Sequence, residues 1–270
     1  MSKINKAIYE IQSLDSMAKE DRWMNHIHPL IKLFLTVYYI VLTVSFHKYD
    51  VEGLLGMCIY PIFIFILGDL SFQTALYRMR VVLPVVCIVG VFNPFFDHVV
   101  VMEIGTLHVW GGVVSMFTLM LKGVFTVLAS YLLIATTSIE EICYALRLIH
   151  IPKIMVTQLL LIYRYITVLL TEAKRITQAY ALRAPGQKGI NIKAWGPLVG
   201  QLLLRSMDRA DDVYESMCLR GFQGEFPKQI RKGKHKVSVA GEAAYFLLWI
   251  FVLFIFRAFP VFEQIGGLFV

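Results

Sequence analysis

The sequence predicts an all-α integral membrane protein of about five transmembrane helices, with a cytoplasmic coupling domain of long crossed helices. Three observations carry that prediction. Of 270 residues, 57% are hydrophobic and 17% charged, whereas a soluble domain carries roughly a quarter charged residues. The apolar residues fall in long runs, which a bilayer solvates and water does not. The basic residues are clustered: residues 136–236 hold 16 of the 26.

Residues 1–29 form an N-terminal cytoplasmic segment. Ile4, Ile8, Ile11 and Leu14 follow helical spacing among Lys3, Lys6, Lys19 and Arg22, as in an amphipathic helix on a membrane surface. The segment lacks the apolar stretch of a cleavable signal peptide. Residues 30–135 hold the first four spans. The first, 30–46, has only Lys32, near its start, where a lysine snorkels. The second, 54–67, has no charge and contains Pro61, which a membrane helix tolerates. The third, 81–92, is short and must either recruit neighbouring residues or break at Pro84. The fourth, 113–135, carries Lys122. Residues 237–270 hold the last span, 243–259, and the C-terminus, with Arg257 at the far end of that span.

Basic residues orient these spans. The N-terminal segment has four, and the 69–80 loop has Arg78 and Arg80. The 93–112 loop has none and the 47–53 loop only Lys48. Cytoplasmic loops carry the excess of Lys and Arg, so the N-terminus, the 69–80 loop and residues 136–236 face the cytoplasm. Five crossings place the C-terminus outside, and one split or re-entrant span reverses that. The net charge of +7 therefore reports topology and not nucleic-acid binding. The basic residues of 228–236 (Lys228, Arg231, Lys232, Lys234, Lys236) suit anionic lipid headgroups.

Little in the chain speaks for chemistry of its own. Cys58, Cys87, Cys143 and Cys218 have neither CxxC nor Cys/His spacing. His26 and His28, two positions apart, do not share a helical face and make a poor metal pair. No GxxxxGK[ST] loop is present, so energy must come from a partner. Lys122 within a span needs a role or a counter-charge, for which Asp69 is the obvious candidate. An intramembrane enzyme, such as a lipid-modifying transferase near Arg164, would need converging acid, base or metal-ligand groups. The spans offer Lys122, isolated hydroxyls and Asn93.

Residues 136–236 form the coupling-helix domain. Ser138 and Glu141 make a capping box that starts a helix. Pro152 stops it, because the residue before proline disfavours the α region, and opens a second helix. No breaker follows until Pro185-Gly186, so the second helix is on the order of 45–50 Å long. It is apolar over 155–170 and polar afterwards, which lays its first part in or along the bilayer. A third helix starts near Trp195 or Pro197 and ends at Gly221.

The second and third helices end alike, in Ala181-Leu182-Arg183-Ala184 and Cys218-Leu219-Arg220-Gly221, with the arginines 37 positions apart. Upstream, Ala173 corresponds to Ala210, Ile176 to Val213 and Ala179 to Ser216. A cation in the last turn complements the macrodipole, which accounts for either arginine alone. The duplication points further, to two plugs for two related sockets such as the ATPases of an ABC-type transporter. Leucine on one side and a small residue on the other suit entry of a helix tip into a groove, where guanidinium binds carboxylates bidentately. Arg164, between Tyr163 and Tyr165, either snorkels or braces the two helices through Asp208, Asp211, Asp212 or Glu215.

These residues resemble a known family, the transmembrane T component of energy-coupling-factor transporters, and most closely its cobalt-type branch, CbiQ. The resemblance covers nearly the whole chain. It includes His28-Pro29 with Ile31-Lys32-Leu33, Thr136-Thr137-Ser138, Ile151-Pro152, Tyr163-Arg164-Tyr165 and both arginine motifs. Arg205-Ser206-Met207-Asp208-Arg209-Ala210, Met217 and Leu219-Arg220-Gly221-Phe222-Gln223-Gly224-Glu225-Phe226 favour the cobalt branch. The resemblance implies a non-enzymatic scaffold of a prokaryotic cell membrane. It implies that Arg183 and Arg220, flanked by Leu182 and Ala184 and by Leu219 and Gly221, each enter a groove on one of two ATPase subunits. ATP is then bound by those partners, with no cofactor, metal or nucleic acid on this chain. A separate capture (S) subunit in the lipid bilayer takes the substrate: cobalt ahead of nickel, with a vitamin as the rival. Ala184 stands where the family often has glycine.

Overall fold

A computed structural model describes residues 3–20, 22–80, 83–96, 100–104, 107–187, 189–224, 226 and 239–258. The basic residues of 228–236 lie outside the described residues. Helices α1 (Lys3–Lys19), α2 (Pro29–Ser45), α3 (Val51–Gly56), α4 (Ile59–Leu67), α5 (Phe72–Met79) and α6 (Leu83–Phe96) come first. A two-stranded antiparallel hairpin follows, β1 (Val100–Ile104) with β2 (Leu107–Trp110). Then come α7 (Gly111–Thr136), α8 (Ile139–Leu148), α9 (Lys153–Arg183), α10 (Ile192–Leu219) and α11 (Val239–Ala258). Among the described residues the protein is all-α apart from that hairpin. The chain forms two compact units: Met1–Ser16 with Ile139–Ile230, and Met17–Ser138 with Arg231–Val270.

The second unit is organised around α7, whose 26 residues reach about 39 Å, beyond the roughly 30 Å of bilayer hydrocarbon. α2, α3, α4 and α6 pack on α7, and α11 packs on α2. At Gly123 of α7 a Cβ would lie 2.4 Å from Val86 Cγ1, so the close approach of α6 depends on the missing side chain. The core holds Leu35, Tyr39, Leu54, Met57, Tyr60, Leu132 and Leu253. Tyr39 stacks on Tyr60 at 4.5 Å, and Tyr60 meets Trp249 edge-on at 5.2 Å. The outward residues are apolar as well: Phe34, Val37, Val41 and Val44 on α2, Ile88 and Phe92 on α6, Phe251 and Phe254 on α11. A helix apolar on both its inner and outer faces suits hydrocarbon and not water.

Among the described residues, α7 and α9 are long and apolar enough to cross a membrane, and Pro29–Ser45 and Gly53–Leu67 are shorter apolar helical stretches. The expectation of five spans did not count α9, which meets the same length requirement as α7. The 54–67 stretch is not one helix: it breaks at Met57-Cys58, between α3 and α4. The break is tolerated because the Tyr39 hydroxyl donates to the freed Met57 carbonyl at 3.0 Å. The 81–92 run extends to Phe96, and Pro84 sits in the first turn of α6, where its missing N–H costs nothing.

Cations in this unit close helix ends. The Lys32 ammonium is buried and donates to the Thr136 carbonyl at 2.8 Å, at the C-terminus of α7. It does not snorkel, contrary to expectation, because an unsatisfied helix-end carbonyl attracts it more than interfacial water does. Lys122 of α7 returns the contact, donating to Val44 O at 3.1 Å and to Phe46 O at the C-terminus of α2. Arg257 joins it there through Ser45 O at 3.4 Å, its guanidinium 4.7 Å from the centre of the Phe46 ring. Asp69 therefore does not receive Lys122: its own carbonyl and that of Gly68 accept from Arg22, at 2.6 and 2.7 Å, where α4 ends. His28 caps α2, its Nδ1 accepting from Leu30 N at 3.2 Å, and its backbone N–H donates to the Glu242 carboxylate at 3.1 Å.

Candidate docking site at two helix ends

The other unit carries the paired motifs. α8 begins directly after Ser138. It ends at Leu148, before Pro152, because His150 takes a left-handed conformation (φ 66°) and Ile151 N–H reaches back to Leu146 O at 3.3 Å. Pro152 is then the N-cap of α9. α9 runs unbroken for 31 residues, with Ile154, Met155, Leu159, Ile162 and Ile166 exposed along its apolar half. α10 starts at Ile192, earlier than expected, because the Asn191 side chain accepts from Lys193 N at 3.1 Å and caps it. Pro197 lies inside α10 and not at its start.

The two motifs close their helices differently. Arg183 is the last residue of α9, and Ala184, its C-cap, donates its N–H to Tyr180 O at 3.1 Å. The chain then turns at Gly186 (φ 93°) around the Tyr180 hydroxyl. That hydroxyl donates to Gln187 Oε1 at 2.7 Å and accepts from Asn191 N–H at 3.4 Å. Arg220 is the C-cap of α10, one residue past the helix, and Gly221 follows at φ 78°. The N–H of Phe222 returns to Met217 O at 3.0 Å and that of Gly221 to Cys218 O at 2.9 Å. This is a glycine-terminated Schellman closure, which explains Gly221 in the second motif. Ala184, at φ −125°, needs no glycine.

Both ends present the same groups. Leu182 is 84% and Leu219 90% exposed, and both arginines are exposed. Among the described residues, neither guanidinium makes a hydrogen bond or ion pair. The segment after Arg220 returns to α9 at Thr157, whose hydroxyl donates to Gly224 O at 3.4 Å. The two ends therefore stand near opposite ends of α9, separated along it by residues 157–183, or about 39 Å. Two exposed leucine–arginine pairs at that spacing can each meet a separate partner surface.

The bracing candidates fall elsewhere. Arg164, Asp208 and Asp211 are exposed, and none makes an ion pair among the described residues. The ion pair joining α9 to α10 is Glu172 with Arg205, and Arg175 adds a contact to Glu172 at 3.5 Å. Sequence reasoning passed over Glu172, because α10 carries both acids and bases and charge alone singled out no partner for it. Among the described residues no group of three or more His, Cys, Asp or Glu side chains could hold a metal.

Comparison with known proteins bears on the same residues. The family model described as CbiQ, cobalt transport protein, matches residues 20–231, which include both helix ends. The nickel permease LarQ of Lactiplantibacillus plantarum is 27% identical over 119 residues, 44% of each chain. An uncharacterized protein of Methanocaldococcus jannaschii is 25% identical over 144 residues, 52% of this chain and 48% of its own. The match thus spans about half the length of these two relatives. The energy-coupling factor transporter transmembrane protein EcfT of Listeria innocua is 24% identical over 217 residues, 75% of this chain and 81% of its own. With the family model covering well over half of its length, the chain belongs to the CbiQ family of cobalt transport proteins.

Proposed function

We propose that this chain is the transmembrane coupling subunit of an energy-coupling-factor importer. Its spans hold a substrate-capturing membrane subunit. The unit containing α9 and α10 is its cytoplasmic coupling domain, and Arg183 and Arg220 each dock on one of two ATPase subunits. ATP binding closes the ATPase pair and moves the two helix ends. α9 and α10 pass that motion to the capture subunit and reorient it. The chain catalyses nothing; ATP is hydrolysed on the partners. The observation that carries the reading is the pair of exposed leucine–arginine helix ends, whose guanidiniums make no hydrogen bond or ion pair among the described residues.

Cobalt(II) is the substrate that the family favours, taken up by the capture subunit. Nickel is the second reading, supported by the similarity to a nickel permease. Co-purification tests the coupling role: the tagged chain is co-expressed with candidate membrane and ATPase partners, as wild type and as Arg183→Ala/Arg220→Ala. Wild type should retain two ATPase subunits, and the double variant should lose them while keeping its membrane partner. Equal retention by both would sink the docking role of the arginines. Uptake of radiolabelled cobalt against nickel by the intact complex decides the ion.

A further inference from the structure

The two helix ends differ in what holds the chain beyond them. After Arg183 the turn is closed by Tyr180 of the same helix. After Arg220 the chain is held by other elements. Gly221 and Gly224 both adopt positive φ, 78° and 86°, and the α10 closure ends at Phe222, so the residues beyond it are held by other elements. Arg147, in the last turn of α8, donates from Nη1 to the Phe226 carbonyl at 3.0 Å. From the other side, Thr157 of α9, a buried residue, donates to Gly224 O. Phe222 and Phe226 close the loop, their rings 5.4 Å apart. The macrodipole of α8 accounts for a cation in its last turn. It does not account for a guanidinium spent on a carbonyl 79 residues away.

We propose that Arg147 is a positioning residue for the second docking end: it ties the segment after Arg220 to the α8–α9 elbow and so holds the Leu219-Arg220 pair in the orientation its ATPase groove requires. This rests on the docking role proposed above. The tie makes the two ends mechanically unequal. The Arg183 end is tied to α9 and, through Tyr180 and Asn191, to the start of α10, whereas the Arg220 end is tied through Phe226 and Gly224 to the elbow formed by Leu148, His150 and Pro152. The elbow is stiff enough to hold that tie, because Cys143, Ala145, Val156 and Thr157 are buried on either side.

A mutant cycle on the full complex tests this. ATPase subunits are titrated onto the membrane subunits in lipid nanodiscs, with Arg147→Ala, Arg183→Ala, Arg220→Ala and the two doubles containing Arg147→Ala. Loss of a hydrogen bond from a charged donor should weaken ATPase binding roughly tenfold in Arg147→Ala. The same loss should add in full to Arg183→Ala and vanish on top of Arg220→Ala, because residues acting through one another are not additive. Arg147→Lys, which keeps a donor, should restore part of the binding. Should Arg147→Ala lower the yield of folded protein, Thr157→Val removes the second tie and is run through the same cycle. Full additivity with Arg220→Ala, or no effect of either tie, overturns the assignment while leaving the docking role intact. An Arg220→Ala that binds ATPase normally overturns both.

Discussion

Cations meet helix C-termini in both units, but to opposite ends. In the α7-centred unit, Lys32, Lys122 and Arg257 each donate to carbonyls at the end of a helix other than their own, and Arg22, just past α1, does so at the end of α4. Lys32 and Lys122 make the exchange reciprocal, α2 closing α7 and α7 closing α2. In the other unit, Arg183 and Arg220 end their own helices and donate to nothing among the described residues. The contrast tracks burial. A buried ammonium and an open helix-end carbonyl are each costly alone, so Lys32 and the end of α7 satisfy each other. The exposed guanidiniums of Arg183 and Arg220 need no such partner.

The largest effect on stability should come from Lys32→Met. Removing the charged donor and stranding the Thr136 carbonyl should cost about 2–3 kcal/mol, read as a lower unfolding midpoint in detergent. An unchanged midpoint would make the reciprocal closure of α2 and α7 incidental. Lys122→Met should cost less, about 1–2 kcal/mol, because Arg257 remains on the Ser45 carbonyl; adding Arg257→Met should recover the difference. In the other unit, Glu172→Gln removes the one ion pair between α9 and α10 found among the described residues. Its Arg205 side chain is half exposed, so the expected loss is below about 1 kcal/mol. Smallest of all, Arg183→Ala and Arg220→Ala should leave the midpoint unchanged while changing ATPase retention. A large stability loss from either would place these arginines with the structural cations, and the contrast between the units would fail.

Much of this was legible beforehand where the signal is local. The ends of α9 and α10 follow from Pro185-Gly186 and Gly221, and α9 runs long because nothing between Pro152 and Pro185 interrupts it. The duplicated Leu-Arg pair marked the candidate docking residues, and their exposure is what a local motif at a helix end produces. Signals depending on a second helix were not legible. The break at Met57-Cys58 needs the Tyr39 hydroxyl to satisfy it. The end of α8, a local feature, was also not legible, because it depends on a non-glycine residue, His150, accepting a left-handed conformation. The partner of Lys122 could not be chosen by charge alone, since Asp69 was the visible acid and two neutral carbonyls won.

By itself the sequence determined which segments are apolar and where most helices stop, because hydropathy, proline and glycine act through the residue itself and its nearest neighbours. Only the tertiary structure decided which carbonyl each buried cation satisfies, that Glu172 and not Arg164 pairs α9 with α10, and that Arg147 holds the chain after Arg220. Those outcomes depend on groups tens to hundreds of residues apart meeting within hydrogen-bond reach. At that separation an open backbone carbonyl competes on equal terms with any acid that the sequence displays.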